Sequence, residues 1–527
     1  MKRTILIAAA VLASSVASAQ TPVALVDRAI TAAGGTKAIG ELKTLSTSGI
    51  TKHWDPDQSH AAGGEKRFAA ESSFNQVRDL GTQAARTEWV RKYAYPAPRE
   101  FKFTEVVAEG TGFVNGIDSN GRTKQSLSNN PPSHTMSRMR VNAATRELAR
   151  SSPRLLLEMR ANTGRLSAMP DVAVGSEKHP AVRYRSDASE FIVMFDRGSG
   201  LPARIRTIDY DSLQGDSNYD LVLSNWRDVG GTKVAHRQVY QLNGVDVIDT
   251  ELQSVRANPG AGADQFAIPS EIKASITKTT GPITVPYQWV IRRQFIGTYL
   301  DTDAVTHDPQ ASSGLRLQDV APGVSHVQGG THNSLIVEMA DYLVVFDAPV
   351  GDIYSQWVLD AVEKKYPGKP VKYLVLTHHH MDHSSGTRLY VARGATLVVG
   401  AGNAGFFKSS LAAKHSGNAI VKQPVAAEPK ITEVADRLII TDGKRDVGIY
   451  AMENPHAAGM VMGYVADARL GFVTDVWSPG TPLGAKPNPG QLSVVNAVRK
   501  HGLNPERFAG GHGSSQDYAD LVKFIGG

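Results

Sequence analysis

An apolar run, Val371 to Leu376, ends directly on Thr377-His378-His379-His380-Met381-Asp382-His383. This junction constrains the fold more than any other stretch. A continuous apolar run of that length reads as a strand buried on both faces, so helices must cover both sides of its sheet. The strand then delivers four imidazoles and a carboxylate at its end, where a rigid sheet positions side chains for chemistry. The surroundings agree. Strands are expected at Ser334–Met339, Tyr342–Phe346 and near 437–452 and 460–474, with helices over Ile353–Lys365 and near 404–412, 492–500 and 515–525. The pattern predicts an α/β layered domain over 315–527.

The spacing inside the cluster is informative. His378 and His380 lie two apart, so in an extended segment their side chains share a face and reach one ion. Asp382 and His383 follow in a turn and bend toward a neighbouring position, while His379 and Met381 point away. A histidine pair is not a complete metal site; zinc needs a third protein ligand and an open position. Three residues in similar contexts are candidates: His456 after a strand, Asp475 at a strand end, and His512 in Gly510-Gly511-His512-Gly513. The chain contains no cysteine, so every ligand must offer nitrogen or oxygen, and no disulfide supports the fold.

Upstream, the texture differs. Lys2-Arg3, the apolar run Ile5–Val16 and Ala17-Ser18-Ala19 read as a secretory leader over 1–19, which places the mature protein in a periplasm or outside the cell. No later stretch is apolar enough for a membrane helix. Residues 20–255 read as β-rich, an antiparallel half-barrel or sandwich with a helical insert near 143–161. Gly198-Ser199-Gly200 and Asn243-Gly244 are expected at hairpin turns. The Pro- and Gly-rich stretch 256–314 reads as a linker or bridging segment. Seven arginines between Arg138 and Arg165 face only Glu147 and Glu158, and read as a solvated, partly helical face. Without aromatic interleaving or a nucleic-acid motif, the net charge of +6 does not imply a nucleic-acid partner. Homo-oligomerisation is left open.

The order His378-x-His380-x-Asp382-His383, His456, Asp475, His512 resembles the metallo-β-lactamase-fold hydrolases over about 315–527, including Asn333-Ser334 through Val345-Phe346-Asp347. That resemblance implies an αββα sandwich with two zinc ions, iron or manganese being the alternatives. It implies that His378, His380 and His456 hold the first ion, that Asp382, His383 and His512 hold the second, and that Asp475 bridges them. Asp347 would be structural. The implied chemistry is attack of a metal-bridged hydroxide on the ester, lactone, thioester or amide bond of a small molecule, β-lactams included, with Asp382 as the catalytic proton carrier. The lack of cysteine excludes the subclasses with a cysteine ligand. His380 stands where flavo-diiron relatives carry glutamate, and Trp477-Ser478-Pro479 follows Asp475 where lactonases carry tyrosine.

The substrate rim is expected at Gly329-Gly330-Thr331-His332 and in the 402–425 segment, with Phe406, Phe407 and His415. His53, His60, His134, His179, His236, His307, His326 and His501 lack ligand-type neighbours and read as core or surface residues. Two other readings stand beside the hydrolase. One is a mononuclear iron dioxygenase of the same fold acting on sulfur compounds; the other is a lipid- or glycan-binding protein with a vestigial metal domain.

Overall fold

A computed structural model describes residues 21–119, 133–260, 262–274, 286–295, 301, 315–416, 425 and 428–526. The expected leader over 1–19 and His307 lie outside the described residues.

Thr21 caps a first helix, Pro22–Ala32, through its Oγ, with proline at the first turn where its missing N–H costs nothing. The chain then enters a 13-stranded antiparallel sheet at its middle. Strands from Thr44–Asp55 out to Ser133–Thr135 follow one another toward one edge. The chain crosses through helices Arg138–Arg150 and Leu155–Ala161 to the opposite edge at Leu166–Ala168. Sequential hairpins then return it to Val245–Ala257, which pairs with Thr44–Asp55. Among the described residues the sheet is therefore open, with Ser133–Thr135 and Leu166–Ala168 as its outermost strands. Both expected hairpins are present: Glu190–Phe195 pairs with Pro202–Asp211, and Asn243-Gly244, both at positive φ, join Thr232–Leu242 to Val245–Ala257.

The arginine-rich run is corrected at three positions. Arg140, Arg146 and Arg150 are buried. Arg140 pairs with Glu105, Asp118 and Asp301, Arg146 with Asp209 at 2.7 Å, and Arg150 with Glu147 at 2.6 Å. They anchor the helix to the sheet, and Arg138, Arg160 and Arg165 are exposed as expected of a solvated face.

The C-terminal part is an αββα sandwich. A seven-stranded sheet starts antiparallel and turns parallel from Leu343–Phe346 through Val371–Val375, Thr396–Gly400 and Ile431–Val434. A six-stranded sheet runs from Arg437–Thr441 to Ser515–Asp517. Alternation along Leu343–Phe346 explains the layers. Leu343 and Val345 face helices Asp352–Lys365 and Thr387–Ala392, while Val344 and Phe346 face the second sheet. There Val375, Ile449, Val461 and Phe472 complete the inner core. Helices Pro489–Lys500 and Tyr518–Ile525 cover the outer face of the second sheet.

Within the stretch read as a linker, helix Tyr287–Gln294 is largely buried, with Gln288, Trp289, Val290, Arg292 and Arg293 packed between the two parts of the chain.

Candidate metal centre

Five strand ends converge. Asp347 follows Leu343–Phe346, His378 and His380 follow Val371–Val375, and His456 lies beyond Asp446–Ala451. Asp475 follows Leu470–Val473, and His512 follows Arg507–Gly510. The turns are tight. Asp347 and Asp475 hold φ of 60° and 62°, which only strong local bonding sustains in a non-glycine residue. Asp347 supplies such bonding by accepting from Thr377 N at 2.7 Å and Thr377 Oγ1 at 2.9 Å, fixing the strand exit behind His378. Gly511 is required by close approach, since a Cβ there would lie 1.4 Å from Thr474 Oγ1.

Three of the imidazoles are aimed by hydrogen bonds to their far nitrogens, and a carboxylate stands behind a fourth. His380 Nε2 donates to Ser59 O at 2.9 Å, which leaves Nδ1 facing inward. His512 Nδ1 donates to Thr331 O at 2.9 Å, His378 Nδ1 meets Thr377 Oγ1 at 3.2 Å, and His383 Nδ1 lies 3.5 Å from Asp347 Oδ2. Backbone carbonyls and carboxylates behind histidines are the usual means of fixing a ligating ring. Asp475 sits at the centre. Its Oδ2 lies 3.2 Å from His378 Nε2, 2.9 Å from His456 Nε2 and 3.3 Å from His383 Nε2, and its Oδ1 lies 2.7 Å from His512 Nε2. Ligand atoms about 2.1 Å from one tetrahedral ion stand about 3.4 Å apart, so these spacings suit shared ions.

Electrostatics prepare the set. Burial pushes His378 down to about 3 and His380 well below the ordinary histidine range, which keeps both rings neutral with a lone pair to offer. Burial would raise Asp475, but His383, His456 and His512 around it hold its carboxyl well below the usual range. Burial likewise opposes ionisation of Asp382, and Arg293 and His332 overcome it. His380 Nδ1 and both ring nitrogens of His383 are buried with no hydrogen-bond partner. Buried unpartnered nitrogens beside anionic carboxylates are an unfavourable arrangement for a protein alone and a favourable one around a divalent cation. The residues fit such an ion.

The structure gathers His378, His380, His456 and Asp475 with ligand atoms within 4.8 Å of one another, and His332, His383 and His512 likewise. His332, expected on the rim, thus lies inside the centre. Asp382 is engaged elsewhere: Oδ1 accepts from Gln58 Nε2 at 2.6 Å, Oδ2 from Arg293 at 3.2 Å, and His383 Nε2 is 3.9 Å away. Phe407 is corrected: it is 1% exposed and packs in the core, so it lines no rim. Phe406 is half-buried with its ring 6.2 Å from His379. His415 contacts Tyr210 and Ser410 O. His134, read as isolated, lies 3.1 Å from Asp301 and 3.9 Å from Asp118, but Arg140 supplies the cation there.

Sequence reasoning missed the contribution of the N-terminal half. Ser59 O accepts from both His379 and His380, and Arg67 Nη2 donates to His456 O at 3.2 Å. Tyr95 donates to Gln58 Oε1 at 2.7 Å, and Arg292 ties Asp55, Asp57 and Asp211 together beneath Met381. The polar run Asp55-Pro56-Asp57-Gln58-Ser59-His60 after a strand was the available signal, but nothing local says what it faces.

The family model of the metallo-beta-lactamase superfamily matches residues 327–512. No curated protein matches the chain. Among solved structures, the stereoselective inverting sec-alkylsulfatase Pisa1 from Pseudomonas sp. is 17% identical over 41% of this chain and 41% of that one, with a TM-score of 0.30. A metallo-beta-lactamase from Pontibacter korlensis is 17% identical over 40% of this chain and 97% of its own, with a TM-score of 0.31. The rubredoxin oxygen:oxidoreductase from Desulfovibrio gigas is 16% identical over 40% and 59%, with a TM-score of 0.31. The chain spans less than half the length of the alkylsulfatase.

Proposed function

Residues 327–512 being a domain of the metallo-β-lactamase superfamily, we propose that the protein is an exported di-zinc hydrolase of small molecules carrying an ester, lactone, thioester or amide bond. One observation carries this reading: Asp475 lies between both sets of histidines, with Oδ2 near His378, His456 and His383 and Oδ1 near His512. A carboxylate so shared suits a bridge between two cations. His378, His380 and His456 would hold the first, and His383 and His512, with Asp382 beside them, the second. Bound there, a pair of divalent zinc ions supplies Lewis acidity that polarises a carbonyl and makes water a nucleophile near neutral pH.

The chain's own residues do the rest. Gln58 and Arg293 fix both oxygens of Asp382, so its carboxylate points at one place and accepts a proton there. Asp347 and Ser59 hold the rings of His383 and His380 from behind. Phe406 gives one wall an apolar edge for the substrate. Among the described residues no helix is long and apolar enough to cross a membrane.

The test is metal analysis of the purified mature protein beside a panel of chromogenic esters, lactones, thioesters and β-lactams. Two zinc ions per chain, hydrolysis lost on chelation and restored by zinc are expected. Undiminished hydrolysis in the chelated protein refutes the reading, and one iron per chain with oxygen consumption favours the dioxygenase instead.

A further inference from the structure

We infer that His332 is a ligand of the second ion, giving each cation three imidazoles. The inference rests on the di-metal reading above. The first trio sets the geometric standard: ring centroids of His378 and His380 are 4.5 Å apart, His380 and His456 4.5 Å, and His378 and His456 4.9 Å. The second trio repeats it. His332 and His512 are 4.5 Å apart, His332 and His383 5.0 Å, and His383 and His512 5.0 Å. Three rings meet in one arrangement twice around one shared carboxylate, the first trio from two segments and the second from three, with His456 and His512 only partly buried.

The support behind His332 is also that of a ligand. Its Nδ1 meets Thr331 Oγ1 at 2.8 Å, which leaves Nε2 facing the centre, as the far-nitrogen bonds do for His378, His380 and His512. Its backbone is fixed in place. Tyr354 donates to His332 O at 2.5 Å, and Asn333 N donates to Gly511 O at 2.8 Å. Asn333 Nδ2 donates to Gly510 O at 3.1 Å and Gly513 O at 2.9 Å, and His512 Nδ1 donates to Thr331 O at 2.9 Å. These bonds lace the segment carrying His332 to the loop carrying His512. The rival role, a mere hydrogen-bond donor to Asp382 at 3.2 Å, is redundant, because Gln58 and Arg293 already satisfy that carboxylate.

The experiment has three arms. Zinc stoichiometry of the wild-type protein tests the parent reading; fewer than two ions overturns it and this inference with it. Chelator competition then compares wild type with His332→Ala. Loss of a ligand weakens the second site by more than about 100-fold, whereas loss of a hydrogen-bonding residue behind a ligand costs about 10–100-fold. A weakening of 100-fold or less overturns the assignment. The third arm needs no variant: in ¹⁵N-histidine protein loaded with ¹¹³Cd, six imidazole nitrogens coupled to cadmium support a ligating His332, and five, with two ions bound, refute it.

Discussion

Replacing Arg292 with methionine removes the one cation that three buried carboxylates share. Its guanidinium lies 3.1 Å from Asp55 Oδ1, 2.7 Å from Asp57 Oδ2 and 3.4 Å from Asp211 Oδ2, and all four side chains are at most 3% exposed. Stripping one partner from a buried ion pair costs about 3–5 kcal/mol, because the remaining charge stays desolvated. At about 2–4 °C per kcal/mol for a unit of 150–250 residues, the melting temperature should fall by about 6–20 °C. The pH dependence sharpens the test. Burial raises Asp55, and it raises Asp211 to about 6 with Asp57 adding to the effect, although Arg292 opposes both shifts. A carboxyl raised in the folded state contributes stability that is present below its unfolded pKa and is lost as pH rises through the folded one. Without Arg292 the folded values climb further, so the variant's deficit should be larger at pH 8 than at pH 5. Melts of both proteins at the two pH values decide the matter; a fall under about 2 °C, or an equal deficit at both, would refute the reasoning.

Three further outcomes are expected. Gln58→Ala, which breaks a bond to a charged acceptor worth about 1.5–3 kcal/mol, should lower kcat by about 10–150-fold on the best panel substrate while zinc content stays at the wild-type value; unchanged kcat would remove Gln58 from the site. Phe407→Ala should cost about 3–5 kcal/mol in a denaturant melt, as a fully buried aromatic does. Phe406→Ala should leave the melt nearly unmoved and raise KM instead, and the reverse pattern would exchange the two roles.

The gathering of the candidate residues was legible in the sequence, because its information is local. An apolar strand running into alternating histidines places two rings on one face wherever the strand ends, and the downstream His456, Asp475 and His512 also sit at strand ends or in a glycine-rich loop. What it carried poorly depends on distant partners. Arg140 and Arg146 looked like solvated charges because Glu105, Asp118 and Asp209 lie far away in the chain, and Arg150 because the Tyr219 carbonyl it reaches does too. Arg292 and Arg293 fell in a proline- and glycine-rich stretch whose composition concealed a buried helix. Phe407 was legible and misread: with Leu411 four residues on, it marks the buried stripe of helix Ala404–Ala412.

The carbonyl of Ser59 has a consequence for assembly. Which nitrogen of His380 is left without a partner is decided by an acceptor in the connection after strand Thr44–Asp55. A one-residue slip of strand Thr44–Asp55 against its neighbours would turn alternate side chains to the wrong face and carry that acceptor away. On the proposed metal reading, ion uptake would therefore report in part on the finished fold of the N-terminal region, since losing the acceptor behind one ring should weaken binding about 10–100-fold with every histidine intact.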